Sequence, residues 1–322
     1  MGTNTNIRFE SSFATDVHKG LTSYPKYLYS KYFYDENGDR LFQKIMEMPE
    51  YYLFRAEYEL ISLHRTELSI LFKHPQGFDL IELGAGDGTK TKLLLEEFLT
   101  AQLDFTYMPV DISQHALDEL LADLHNCMPG VTVKPQQGMY FEVLNELSTF
   151  NKRKKVLLVL GSNIGNLLHP QAIEFLKGIS NAMSKNDLLF MGFDQKKNPS
   201  MILNAYNDPK GLTAEFNKNI LHRINRELEG NFEPEHFDHW ETYDPETGTA
   251  KSFLIANKAQ KVELKKIGLH LNFEIWETIH TEISQKYDDR TIQWLAGKAG
   301  LNILQSYDDP EQLFRNYVFT KE

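Results

Sequence analysis

Five short apolar runs with helical patterns between them fill the middle of the chain. DLIEL (79–83) leads into KTKLLLEEFL, and FTYMPVDI (105–112) into HALDELLADL. VTVKPQ (131–136) is a weaker third run, KVLLVLGS (155–162) precedes QAIEFLKGISNAM, and DLLFMGFD (187–194) is the fifth. Strands that are apolar on both faces need cover on both sides. Helices between them supply it, so the pattern predicts a parallel sheet in an α/β fold. The chain's end reads differently. The helical DDRTIQWLAGKAG is followed by LNILQSY and LFRNYVFTK, joined by a short turn at Asp308-Asp309-Pro310. That predicts a terminal antiparallel hairpin closing a Rossmann-like sheet.

Between 197 and about 284 this rhythm breaks. Leu212, Phe216, Ile220, Ile224 and Leu228 recur every four residues and mark a helix. WETYDPETGTAKSFLI then places a Pro/Gly turn between two β runs. We read the block as an inserted α+β lobe, giving segments 1–196 (a helical, aromatic N-terminal part plus the core), 197–284 (the insertion) and 285–322 (the last helix and hairpin). A chain of 322 residues has length for roughly two domains. No run of about 18 apolar residues predicts a membrane span, and MGTNTNIRFE carries no secretory pattern. A cytoplasmic location is expected. One cysteine, Cys127, excludes an internal disulfide framework. A net charge of -11 argues against nucleic acid as a partner; the dense basic run NKRKK (151–155) precedes an apolar strand and reads as a solvated turn. HFDH (236–239) pairs two histidines without a third ligand in register, so no metal is expected.

The chemistry is concentrated after the first strand. Gly84, Gly86 and Gly88 permit positive φ and close approach of a ligand to the backbone. The loop lies where open α/β sheets bind ligands, and Asp111 ends the next strand, where an acid can hold a ribose hydroxyl pair. The pattern is E-x-G-x-G-x-G, with Glu82 ahead of the loop and Thr89 where a pyrophosphate-binding fingerprint has its last glycine. A cationic methionyl tail joined to adenosine suits two acids better than a pyrophosphate does, which points to S-adenosylmethionine. Further along, GSNIGN (161–166) at the end of a strand offers Ser162, Asn163 and Asn166 as donors, or simply a capped strand-to-helix turn. In ETIHTEISQKY, period-two alternation puts Glu282 and Ser284 on one face and Thr281, Ile283 and Gln285 on the other. A carboxylate and a hydroxyl side by side can engage both nitrogens of an imidazole. A solvated strand face is the plainer alternative.

With these motifs in view, nearly the whole chain, from about Phe13 to Thr320, resembles the S-adenosylmethionine-dependent, histidine-specific N-alpha-methyltransferases of ergothioneine biosynthesis. The resemblance rests on KYFYDENGDRLFQKIMEMPEYYLFRAE (31–57), IELGAGDGTKTKLLL, YMPVDIS (107–113), LGSNIGNL (160–167), AYNDPKGLTAEFNKNIL (205–221) and TEISQKY (281–287). It implies a class I methyltransferase sheet and an inserted substrate lobe. The implied cofactor site has Tyr34, Glu82, Gly84, Gly86, Lys90, Asp111, Met139 and Tyr140. The implied amino-acid site has Phe42, Tyr51, Gly161, Asn163, Asn166, Tyr206, Phe253, Glu282 and Ser284. Within it, Asn166 and the Tyr206 hydroxyl would hold the substrate carboxylate, Glu282 and Ser284 the imidazole, and Tyr34 and Tyr51 would align the amine. Position 163 is Asn where the family has Thr, position 139 Met where Asp is usual, and position 140 Tyr where Phe is usual.

The expected activity is methylation of the alpha-amine of L-histidine, to the trimethylated betaine hercynine, by a monomer. Three rivals stand beside it. A same-fold methyltransferase could act on another amine, such as an indole-bearing one, although an indole has one donor and no basic nitrogen for Glu282 and Ser284. A nicotinamide dehydrogenase would want the missing glycine. A non-catalytic sensor of the cofactor or of an amino acid would not need both sets of residues.

Overall fold

The computed structural model describes residues 9, 11–138, 140–147 and 153–322. The chain divides into two compact units, one formed by 53–196 and 285–322, the other by 1–52 and 197–284. Residues 11–52 therefore belong with the insertion, although their place in the chain suggested the sheet-bearing core. Their apolar side chains decide this. Phe13, Val17, Leu21, Leu28, Phe33 and Ile45 share one core cluster with Phe216, Ile220, Ile224 and Leu228. Periodicity shows that an element has an apolar face, but not which partner covers it.

Among the described residues the larger unit has seven strands: β1 (Phe78–Leu83), β2 (Phe105–Asp111), β3 (Gln136–Gln137), β4 (Lys154–Val159), β5 (Leu188–Asp194), β6 (Leu301–Asp308) and β7 (Phe314–Lys321). Their order across the sheet is 3-2-1-4-5-7-6. Strands β1 to β5 run parallel, and β7 is antiparallel to both β5 and β6. Alternate residues feed two cores. On β4, Val156 and Leu158 join a cluster with Leu60, Phe72, Leu94 and Leu124, while Leu157 and Val159 join one with Phe175, Ile179, Ile292 and Leu295. Burial on both faces is why these strands read as unbroken apolar runs. The third run shrinks to Gln136–Gln137 and a single bridge from Val133 to Tyr107. It lies at the sheet edge, and Pro135 has no N–H to give a ladder.

In the smaller unit, the strands Lys26–Tyr27, Thr278–Gln285, Thr249–Ala256 and Phe237–Asp244 form one sheet in that order. Phe237–Asp244 and Thr249–Ala256 are the antiparallel pair foreseen around the Pro/Gly turn. The helix Leu212–Leu228 buries Phe216, Ile220, Ile224 and Leu228 of the stripe read from the sequence and leaves Leu212 partly buried. Among the described residues no helix is long and apolar enough to cross a membrane.

Candidate active site

In the larger unit the candidate groups stand at the carboxyl ends of β1, β2 and β4. Gly84, Gly86 and Gly88 all take positive φ, at 78°, 53° and 66°. Only glycine enters this region without steric cost. The Gly84 and Ala85 amides donate to the Val110 carbonyl at 2.8 and 3.3 Å, which ties the loop to the end of β2. A Cβ on Gly86 would meet nothing within 4 Å, so this stretch of backbone faces open space. The helix Thr89–Thr100 starts directly after the loop. Its first amides favour a negatively charged group there. Asp111 lies beside the loop: its carboxylate accepts from the Ser113 amide at 2.9 Å and, at 3.5 Å, from that of Gly86.

Glu82 has a different place from the one its position suggested. It is 3% exposed, and its two oxygens accept from the Thr91 hydroxyl at 2.6 Å and the Tyr107 hydroxyl at 2.5 Å. It ties the helix after the loop to β2. Burial pushes its carboxyl up to about 7 against the opposing pull of the two hydroxyls and of Lys90. Lys90 reaches the carboxylate of Glu57 at 2.5 Å and sits over the Phe54 ring. Glu57 is fully buried and was not singled out from the sequence. An acid on the apolar helix face formed by Leu53, Ala56, Leu60 and Ile61 was the available signal.

The turn after β4 carries Gly161, Asn163 and Asn166. Gly161 takes a φ of 79° and Ser162 one of 56°, and Asn163–Asn166 is a short 3-10 turn. Ser162 is inward, accepting the Asp194 amide at 3.1 Å, while Gly161, Asn163 and Asn166 are exposed. Tyr140 begins a helix that runs to Leu147. Met139 lies outside the described residues.

The remaining candidates lie in the smaller unit and form an aromatic group. Tyr34 meets Phe42 at a centroid distance of 5.5 Å, Phe42 meets Tyr51 at 6.1 Å, and Tyr51 meets Tyr206 at 6.3 Å, all edge to face. Phe216 closes the group, 5.3 Å from Tyr34 and 5.7 Å from Phe42. The sequence placed Phe216 only on the apolar stripe of its helix. The Tyr206 and Ser284 hydroxyls share a hydrogen bond of 2.7 Å. The residue expected at the carboxylate end of an amino acid and one expected at its ring are thus in contact. Along Thr278–Gln285, Ile279, Thr281 and Gln285 are buried and His280, Glu282 and Ser284 partly accessible, as alternation predicts, but Ile283 is partly accessible as well. Phe253 sits on the neighbouring strand with its ring 5.4 Å from that of His280. Tyr34 keeps 41% of its surface accessible. Its hydroxyl is nevertheless crowded; burial first, and the Glu282 carboxylate next, push it well above the usual phenol range. The phenol stays neutral at physiological pH.

A sheet of order 3-2-1-4-5-7-6, with a three-glycine turn after β1 and an acid ending β2, is the frame of a Rossmann-like methyltransferase. Comparison with known proteins narrows this class. The family described as "Histidine-specific methyltransferase, SAM-dependent" matches residues 13–321, and the chain belongs to it. The enzyme is an N-methyltransferase with S-adenosylmethionine as its methyl donor. It is 32% identical over 295 residues to the histidine N-alpha-methyltransferase of Mycolicibacterium smegmatis, covering 92% of this chain and 90% of that one. It is 28% identical to ergothioneine biosynthesis protein 1 of Schizosaccharomyces pombe, over 90% of this chain and 38% of that longer protein. A 4-dimethylallyltryptophan N-methyltransferase of Penicillium roqueforti is 25% identical, over 93% of this chain and 91% of its own length.

Proposed function

We propose that the enzyme methylates the alpha-amino group of L-histidine and carries it to the trimethylated betaine hercynine. The observation that carries this reading is the Glu282–Ser284 face, with the Tyr206 hydroxyl 2.7 Å from Ser284, in the unit that also holds the Tyr34–Phe42–Tyr51 group. A carboxylate and a hydroxyl two residues apart on a strand suit an imidazole, whose two nitrogens can both be engaged.

On this reading the donor binds the larger unit. Asp111 holds its ribose, and Gly84 and Gly86 let it approach the backbone. Lys90 faces the methionyl carboxylate, the donor's one anionic group. Glu82 stiffens the loop, and Tyr140 lies near the adenine. Within the smaller unit Tyr206 holds the substrate carboxylate and Phe253 joins the lining. Each turn is an in-line displacement: the nitrogen lone pair attacks the methyl carbon, the carbon–sulfur bond breaks, S-adenosylhomocysteine leaves, and after the first and second transfers the new ammonium gives a proton to water before the next turn. Nothing covalent is asked of the protein, so positioning is its main contribution. Tyr34 and Tyr51 accept a hydrogen bond from the neutral amine and align its lone pair. As methyls accumulate the nitrogen becomes a fixed cation, which each aromatic face attracts by about 0.5–2 kcal/mol. We place the enzyme in the cytoplasm as a monomer whose partner is a free amino acid, without nucleic acid, membrane or metal. The insertion 197–284, with the N-terminal segment, serves as its substrate lobe.

Mass spectrometry of L-histidine incubated with enzyme and S-adenosylmethionine tests this. Mass gains of one, two and three methyls on histidine are expected. No gain on histidine, with methylation of an indole-bearing amino acid, would assign the lobe to another amine.

A further inference from the structure

Three elements of the larger unit converge on one buried side chain. The Glu57 carboxylate, fully buried in the helix Tyr52–Phe72, accepts from the Lys90 ammonium at 2.5 Å, the Gly161 amide at 2.7 Å and the Asn316 amide group at 3.0 Å. Lys90 stands on the first turn after the glycine loop, Gly161 on the turn after β4, and Asn316 on β7. A Cβ on Gly161 would lie 3.7 Å from the Lys90 nitrogen, so backbone amide and ammonium are neighbours around the same acid.

A buried carboxylate without partners is strongly unfavourable, and one that binds three donors fixes all three. A lysine stem has four rotatable bonds and otherwise swings freely. Glu57 takes one of the three ammonium donors. The Lys90 side chain keeps 15% exposure, which leaves the other donors a route to a ligand. The architecture also favours a carboxylate over a neutral partner at position 57. A glutamine could keep its oxygen towards Lys90 and Gly161 and give its N–H to a flipped Asn316 amide, but it would carry no charge to hold the ammonium.

We propose that Glu57 is a positioning residue for methyl transfer, holding the Lys90 ammonium and the Gly161 turn in register so that Lys90 meets the carboxylate of the donor's methionyl tail. The proposal rests on the assignment of Lys90 to the cofactor given above.

The test is a double-mutant cycle read by calorimetric binding of S-adenosylhomocysteine to the full-length enzyme, with Glu57→Gln, Lys90→Met and the pair. If Glu57 acts through Lys90, Glu57→Gln weakens binding by about 10-fold, and adding it to Lys90→Met costs less than about 2-fold more. The double variant also melts higher than Lys90→Met alone, because the second change removes an unpaired buried charge. Should Glu57→Gln not fold, Glu57→Asp replaces it in both backgrounds; its shorter stem withdraws the charge, and a several-fold loss seen only with Lys90 present is expected. Equal losses with and without Lys90, or binding within 2-fold of wild type for the Glu57 variant, would overturn the proposal. Unchanged binding by Lys90→Met alone would instead overturn the assignment of Lys90.

Discussion

The two units present chemistry with different kinds of atoms. In the sheet unit the candidate groups are backbone amides and short polar side chains at strand ends: Gly84 and Gly86 at positive φ, Asp111, and Lys90 held by Glu57. In the other unit they are ring faces and hydroxyls: Tyr34, Phe42, Tyr51, Tyr206 and Ser284. A polar nucleoside with a charged tail needs directional bonds from a rigid frame. A nitrogen that must stay neutral before transfer and becomes a permanent cation after it needs aromatic surface. If the proposed assignments hold, donor and acceptor recognition should be separately alterable.

Substitutions that break one half without the other test this separation. The largest effect is expected from Glu282→Ala, which removes a charge-assisted bond worth about 1.5–3 kcal/mol. The KM for histidine should rise by about 10- to 100-fold, with S-adenosylhomocysteine affinity within 2-fold in a calorimetric titration. Equal losses of both would make Glu282 a structural residue. Asp111→Ala should do the reverse, weakening S-adenosylhomocysteine by roughly 30-fold, the equivalent of about 2 kcal/mol. Gly86→Ala comes next. Its methyl meets no protein atom, so stability should fall only by the roughly 1–2 kcal/mol of left-handed strain. Cofactor affinity should fall by about 10-fold, since the open space beside Gly86 is where the ligand would lie. Unchanged affinity would move the cofactor away from this loop.

The remaining effects concern pH, where the two units should differ in sign. Glu82, pushed up by burial from 4.5 to about 7, holds its proton in the folded state after the unfolded chain has released it. Its contribution to stability therefore falls as pH rises from 4.5 to 7, by roughly 3 kcal/mol at most. His239 in the smaller unit is pulled down from 6.5 to about 4, by burial first, with Asp208 opposing and Lys218 assisting. The unfolded chain binds that proton first, so this contribution is lost as pH falls from 6.5 towards 4. Thermal unfolding across pH 4.5–8 checks both: Glu82→Gln should flatten the decline above pH 4.5, and His239→Phe the loss below 6.5.

The larger unit was more legible than the smaller one for a physical reason. Strands buried on both faces leave a continuous apolar trace, and a glycine turn is a local feature, so β1, β2, β4, β5 and the closing hairpin could be read along the chain. The period-two reading of Glu282 and Ser284 is local in the same way, and the two residues share the accessible face of their strand. What could not be read was long-range. The partner of the N-terminal aromatics lies some 200 residues away, in the cluster of Phe33 with Phe216 and Ile220. Glu57 gains its meaning only from Lys90, Gly161 and Asn316, which come from three other elements. Glu82 was legible as an acid at the loop, but its burial under Thr91 and Tyr107 depends on the next strand and helix.

The central claim is that the acid at 282 reads the imidazole while the sheet unit holds the donor product. A crystal structure with S-adenosylhomocysteine and L-histidine both bound tests it most directly. The account requires a Glu282 oxygen within about 3 Å of an imidazole nitrogen and the Asp111 carboxylate on the ribose. An imidazole contacted only by aromatic faces, with Glu282 turned to solvent, would contradict it.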